Sequence, residues 1–109
     1  MSELINTKIA GVIFDNEDGT SRQNHIKKLK EGDVLILELD DNNPYDSNAV
    51  RLLDKDENVL GFIKKTLASD IRAGMDKGWM YKAKVSAVTG QDQQTAGCNI
   101  LIEAKKEGE

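Results

Sequence analysis

The chain contains one proline, Pro44, and it stands just behind the most apolar run, Val34-Leu35-Ile36-Leu37-Glu38-Leu39. Together these fix a unit that the rest of the fold must accommodate. The run predicts a strand too apolar to be an edge with one wet face. Proline has no backbone N–H and cannot continue a ladder, so the strand stops before it. Pro44 also holds its own φ near about −65° and drives Asn43 out of the helical region, so Asn43-Pro44-Tyr45-Asp46 predicts a type I turn with proline second. Short polar residues fill the flanks, from Asp40, Asp41 and Asn42 to Ser47 and Asn48. Asp46 is placed to accept from the backbone N–H of Asn48. Asn48 to Leu53 then returns as the next strand. Tyr45 is left on the rim beside a carboxylate and several amides, a combination able to read a stacked base or a sugar hydroxyl. The same residues build ordinary turns, in which a tyrosine packs its ring on the end of a barrel.

The remaining elements follow the same alternation of apolar runs and turn chemistry. Thr7 to Phe14 is β-branched and apolar and predicts a first strand, with Gly11 marking a bulge or a close approach. Asp15-Asn16-Glu17-Asp18-Gly19 is a turn, and Thr20-Ser21-Arg22-Gln23 reads as a capping box opening a short helix from about Ser21 to Lys30, with Ile26 and Leu29 inward and Gly32 as the stop. Asp54 to Asn58 is a polar turn between Asn48–Leu53 and a strand from Val59 to Lys64. Thr66 is positioned to cap a second helix whose Leu67, Ile71 and Met75 recur every four residues, closed by Gly78. Trp79 to Val88 alternates Tyr81, Ala83, Val85 and Ala87 against Lys82, Lys84 and Ser86, which predicts a long strand with a wet, partly basic side. Thr89 to Gly97 is a polar loop, Cys98 to Ile102 the last strand, and 104–109 a frayed tail. About six mainly antiparallel strands with two short inserted helices amount to a mostly β protein, rolled into a small barrel because rolling removes exposed edges.

Composition narrows the function classes. The 109 residues suffice for one domain, spanning 1–109 with its core at about 7–103. Cys98 is the only cysteine and His25 the only histidine. No disulfide framework and no ordinary structural zinc site can form within one chain, so no cofactor is expected and a reducing cytoplasm is the expected home. No apolar run approaches about 18 residues and Met1-Ser2-Glu3 opens no signal peptide, which predicts a soluble, unprocessed protein. A net charge of −4 opposes bulk attraction to nucleic acid. A local basic face from Lys64, Lys65, Arg72, Lys82 and Lys84 remains compatible with it.

Three blocks carry a resemblance: Gly19-Thr20-Ser21-Arg22-Gln23, then Asp41-Asn42-Asn43-Pro44-Tyr45-Asp46-Ser47-Asn48-Ala49-Val50, then Leu60-Gly61-Phe62-Ile63-Lys64-Lys65. In these the chain resembles the HIRAN domain family, from about Lys8 to about Ile102. The resemblance implies an OB-like β-barrel with two helices, and capture of the free 3′ end of single-stranded DNA, the activity of the helicase-fused members. It implies that Tyr45 stacks on a base, Asp46 accepts the terminal hydroxyl, Asn42 and Asn43 shape the pocket or contact the backbone, and Lys65, at the end of the Gly61-Phe62 strand, faces a phosphate, with Asn48 and Lys64 counted among the site residues. A carboxylate tolerates a hydroxyl and repels a phosphate, so Asp46 would prefer an unmodified end. Where the DNA-binding members carry a basic residue and paired tyrosines, this chain has Ile13, Phe14 and Asp15, of which Phe14 retains the capacity to stack.

The expectation is therefore a non-enzymatic module for single-stranded DNA, serving repair or replication, with its site between the Asn42–Asn48 loop, Phe14, Phe62 and Lys64-Lys65. The rival class is a protein-interaction adaptor, docking a partner in a DNA-processing complex or self-associating through an open edge strand. RNA binding is a third reading, separated from the first by the 2′-OH. Ser21 and His25 near Asp18 invite a hydrolase reading, but there is no nucleophile elbow and no oxyanion signature. Trp79 and Met80 read as core, with a partner surface as the alternative, and Cys98 as a small buried hydrophobe.

Overall fold

Short polar turns force strands that are neighbours in sequence to pair antiparallel, and the computed structural model, which describes residues 2–106, builds its sheet from two such groups. The strands β2 (Val34–Leu39), β3 (Val50–Leu53) and β4 (Val59–Phe62) form a meander, and β5 (Trp79–Thr89) and β6 (Gly97–Lys106) a long hairpin. The first strand, β1 (Ser2–Lys8), joins the far side of β6, giving one antiparallel sheet in the order β1-β6-β5-β2-β3-β4. Helix α1 (Arg22–Lys27) connects β1 to β2, and α2 (Lys65–Asp76) connects β4 to β5. The sheet curls into a half-barrel. Its concave side holds a core that includes Leu35, Val50, Leu52, Leu60, Val85, Ile100 and Ile102, closed by Ile26 of α1 and Ala68 and Ile71 of α2.

The two ends of the curled sheet meet at one residue. Beyond β1, Ile9 donates its N–H to the carbonyl of Cys98 (3.0 Å), while Ala10 turns to the opposite strand and exchanges both main-chain bonds with Phe62 (2.8 and 2.9 Å). Gly61 makes this junction possible, because a Cβ there would overlap the Ala10 carbonyl oxygen and the side chain of Ile9. A second close approach fixes α2, since the hydroxyl of Tyr81 lies where a Cβ on Gly74 would stand. Burial raises the pKa of that hydroxyl, with Glu3 of β1 and Asp70 of α2 adding to the effect, so β1, β5 and α2 converge on it.

Several boundaries differ from expectation. The first strand lies at Ser2–Lys8 rather than Thr7–Phe14, because it pairs along β6 from Lys105 to Asn99 and is then diverted to β4. Gly11 marks the close approach rather than a strand bulge: it takes φ +72° in the turn that carries Val12 to Phe14, and a Cβ there would stand 3.2 Å from Arg22 Nη1. The capping box does not form. Ser21 caps α1 without a side-chain bond, and Gln23, instead of reaching back, ties two distant segments by donating to the carbonyls of Val12 (3.0 Å) and Ala96 (2.9 Å) and accepting from the Ala96 N–H (2.6 Å). Lys64, not Thr66, is the N-cap of α2. The strand β2 is central, as its apolarity implies, yet it does have a wet face: Val34 is 69% exposed and Ile36 42%. Met80 is likewise exposed, since its neighbour Tyr81 takes the side facing α2. Ala104, Lys105 and Lys106 are paired within β6, opposite β1 and β5, so the chain is ordered by hydrogen bonds up to Lys106, and Glu107 to Glu109 lie outside the described residues.

Cys98 is 1% exposed, and burial pushes its thiol up to about 11. In the folded protein it should therefore resist iodoacetamide at pH 8 and react at an ordinary rate once urea unfolds the chain, as followed by mass spectrometry. Gly61→Ala should lower the unfolding free energy by about 1–3 kcal/mol through overpacking at the junction. Urea denaturation measures the loss, and amide exchange at Ala10 should accelerate along with it.

Candidate nucleic-acid interface

The loop after β2 is held by its own side chains. No main-chain bond closes Asn43–Asp46; instead the Asn43 amide oxygen accepts from the N–H of Tyr45 (2.8 Å) and of Asp46 (3.0 Å), and its nitrogen donates to Asp40 (3.1 Å). An asparagine oxygen thus holds both donors at once. Main-chain turns flank this knot, with Asn43 donating to Asp40 (3.4 Å) and Ala49 to Asp46 (3.1 Å). Asp46 accepts from the Asn48 N–H at 2.9 Å as expected, through Oδ1. Its second oxygen has no protein donor among the described residues.

From outside the loop, Arg72 of α2 fastens both limbs, donating to Asp41 (2.6 Å) and to the Ala49 carbonyl (2.8 Å). The result is a pinned ridge, with Tyr45 at its crest 89% exposed. The ring does not pack on the barrel end. Asn42 and Asn48 are exposed on the same ridge, and Asn43 is half-buried beneath it.

The ridge connects directly to the other expected residues. Val50, after the loop, accepts from the N–H of Ile63 at 2.9 Å, and Lys64 and Lys65 follow at the start of α2, both exposed. The Lys64 carbonyl takes the N–H groups of Leu67 and Ala68 (3.0 and 2.9 Å), and no side chain caps this terminus. On the other side of Ile63, Phe62 bonds Ala10, and Phe14 folds back so that its ring and that of Phe62 both lie beside Gly11. Phe14 is 61% exposed.

Main-chain bonds thus link, in succession, the segments that carry the Asn42–Asn48 loop, Lys64-Lys65, Phe62 and Phe14, and their exposed edge is the candidate rim. The structure does not assemble Lys64, Lys65, Arg72, Lys82 and Lys84 into one basic patch. Arg72 is spent on Asp41, and Lys82 and Lys84 point away from α2, on the sheet face opposite to Tyr81. A depression of about 360 Å³ lies elsewhere, between Leu29, Lys30, Glu31, Ala87, Val88 and Gln91.

Sequence reasoning missed one residue of this rim. Arg22 of α1 lies with its guanidinium carbon 5.3 Å from the centre of the Phe62 ring, donating to the Gly11 carbonyl and to Asn16 Oδ1, both at 2.8 Å. Burial lowers its pKa, with Asp15 opposing the effect. A guanidinium over an aromatic face is a recurrent cation–π pair, but with 40 residues separating the two in sequence, spacing gave no signal for it.

Compared with known proteins, residues 6–105 match the model of the HIRAN domain. The chain belongs to the HIRAN domain family. Among solved structures it is similar to the crystal structure of the HIRAN domain of human HLTF, with a TM-score of 0.69 at 22% identity, covering 95% of this chain and 77% of that one. The NMR structure of the HLTF HIRAN domain in its DNA-bound conformation is also similar, with a TM-score of 0.62 at 22% identity over 95% and 76% of the two chains. So is a crystal structure of a protein from Lactobacillus plantarum, with a TM-score of 0.69 at 17% identity over 96% and 100%. No curated protein sequence matches the chain significantly. At these identities the structural likenesses speak for the fold, and the HIRAN fold is the half-barrel described above.

If Asn43 ties the ridge as described, Asn43→Ala should remove amide-exchange protection at Tyr45 and Asp46 and cost about 1 kcal/mol of stability. Hydrogen exchange followed by NMR, with a parallel urea titration, measures both.

Proposed function

We propose that this HIRAN domain is a non-enzymatic DNA-binding module that takes the free 3′ end of a single strand on the Asn42–Asn48 ridge. The observation that carries the reading is the ridge itself: an almost fully exposed Tyr45 ring on a backbone pinned by Asn43 and Arg72, next to an Asp46 carboxylate with one unengaged oxygen. An exposed ring on a pinned backbone binds a flat partner without the cost of ordering the main chain. Tyr45 would stack on the terminal base and Asp46 would accept the 3′ hydroxyl. Lys64 and Lys65, with the uncapped start of α2, would meet the preceding phosphate. Asn42 and Asn48 border this pocket. The relationship to a family with a member in a DNA-bound conformation supports the same reading. With few phosphate contacts and a net charge of −4, binding would be micromolar or weaker at physiological salt. The context would be repair or replication, wherever free ends arise.

A second reading, docking of a protein, is favoured by the exposure of Leu4, Val34, Ile36 and Met80 on the sheet. Sedimentation of the free protein separates self-association through this face from a monomeric DNA binder.

Fluorescence anisotropy with a labelled single strand tests the main reading. A free 3′ hydroxyl should bind at least tenfold tighter than a 3′ phosphate. Asp46→Ala should remove this preference, and Tyr45→Ala should cost about 1–3 kcal/mol of affinity, the worth of one stacked base. Equal binding of both ends would refute end capture.

A further inference from the structure

The three arginines of the chain are treated in two different ways. Arg51 pairs with Glu38 and Arg72 with Asp41, so each of those charges is met by a carboxylate. Arg22 is also half-buried, but it is held only by neutral groups: the Gly11 carbonyl, the Asn16 amide oxygen and the face of Phe62. Among the described residues no carboxylate lies within ion-pair distance of it. Of its five N–H bonds, one on Nε and one on Nη1 are engaged, and Nη2 is not among the side-chain atoms shut away from solvent without a partner. Asp15 is the one carboxylate that acts on it electrostatically, and it does so without an ion pair. A fixed, partly desolvated guanidinium with free donors and no paired carboxylate attracts an anion that can take a forked pair of bonds. The same cluster presents an exposed aromatic ring, because Phe14 and Arg22 both flank Gly11.

We propose that Arg22 and Phe14 form a second nucleotide subsite on the rim, where Arg22 binds an internucleotide phosphate and Phe14 stacks on the attached base. This rests on the reading of the Asn42–Asn48 ridge as a nucleic-acid site. A strand anchored there would run past Lys64 and Lys65 and across the Ile63–Phe62 segment to reach it. Asn16 is a positioning residue: it accepts from Arg22 and donates to the Val59 carbonyl (2.9 Å), locking the guanidinium plane to β4. Arg22 thereby supplies the rim with a cation that the Ile13-Phe14-Asp15 segment lacks.

The salt dependence of binding distinguishes this role from a purely structural one. Each phosphate contact on a single strand contributes about 0.7 to the slope of log affinity against log salt. Anisotropy with an oligonucleotide of about six residues bearing a free 3′ hydroxyl would be measured from low to physiological salt for the wild type, Arg22→Gln, Arg22→Lys, Phe14→Ala and the distant Lys82→Gln. Thermal melting would verify the fold of each. Arg22→Gln should flatten the slope by about 0.7, whereas Arg22→Lys, which keeps the charge, should retain it. Phe14→Ala should weaken binding about tenfold with the slope unchanged, and Lys82→Gln should alter neither. Arg22→Gln binding weakly with an unaltered slope would mean that Arg22 only braces the fold, which overturns the subsite and leaves the ridge standing. A wild type that binds no strand at low salt overturns both.

Discussion

One main-chain junction governs the molecule: the pair of hydrogen bonds between Ala10 and Phe62, which joins the strand at one end of the curled sheet to the strand at the other. A half-barrel with both end strands open would expose two rows of unpaired amides. Here the chain leaves β1 at Lys8, keeps one bond to β6 through Ile9, and spends the next residue on β4. Because Gly61 has no side chain, the two backbones can approach. The junction does more than shut the sheet. It delivers Gly11, and with it Phe14, to the flank of Phe62, and it fixes where Arg22 finds its carbonyl partner.

The same economy of fixed points appears on the other side of β4. Ile63 bonds Val50, so the residues that open α2 are set against the residues that close the Asn42–Asn48 loop. Arg72, farther along that helix, returns to the loop and ties it at Asp41 and Ala49. A loop built of Asp, Asn, Pro and Ser would otherwise have many near-equivalent conformations. Much of its order comes from one arginine and one asparagine, which leave the Tyr45 ring and one Asp46 carboxylate oxygen without a protein partner among the described residues.

The architecture was largely legible in the sequence because it depends on local signals. The meander β2–β4, the long β5 and the inward faces of both helices follow from alternation, turn residues and helical spacing, and Leu35, Ile26, Ile71 and Val85 lie buried where those patterns put them. The errors share a physical origin: the side chains involved serve distant partners. Gln23 fits a capping box by spacing, but the Val12 and Ala96 main chain offers it three bonds instead of one. The first strand is displaced because β6, about ninety residues away, decides its register. At the candidate site, the ridge residues were legible as a motif, including the Asp46–Asn48 bond. The fate of the basic residues was not, since whether an arginine is neutralised depends on tertiary neighbours.

The pairing of β1 with β6 also bears on how such a unit can be combined with others. Ser2 and Lys105 face each other across the ladder, and facing residues of an antiparallel pair are about 5 Å apart. A polypeptide therefore enters and leaves this fold at the same corner. A module with that property can sit at either end of a larger protein or be spliced into one of its surface loops without stretching the host chain.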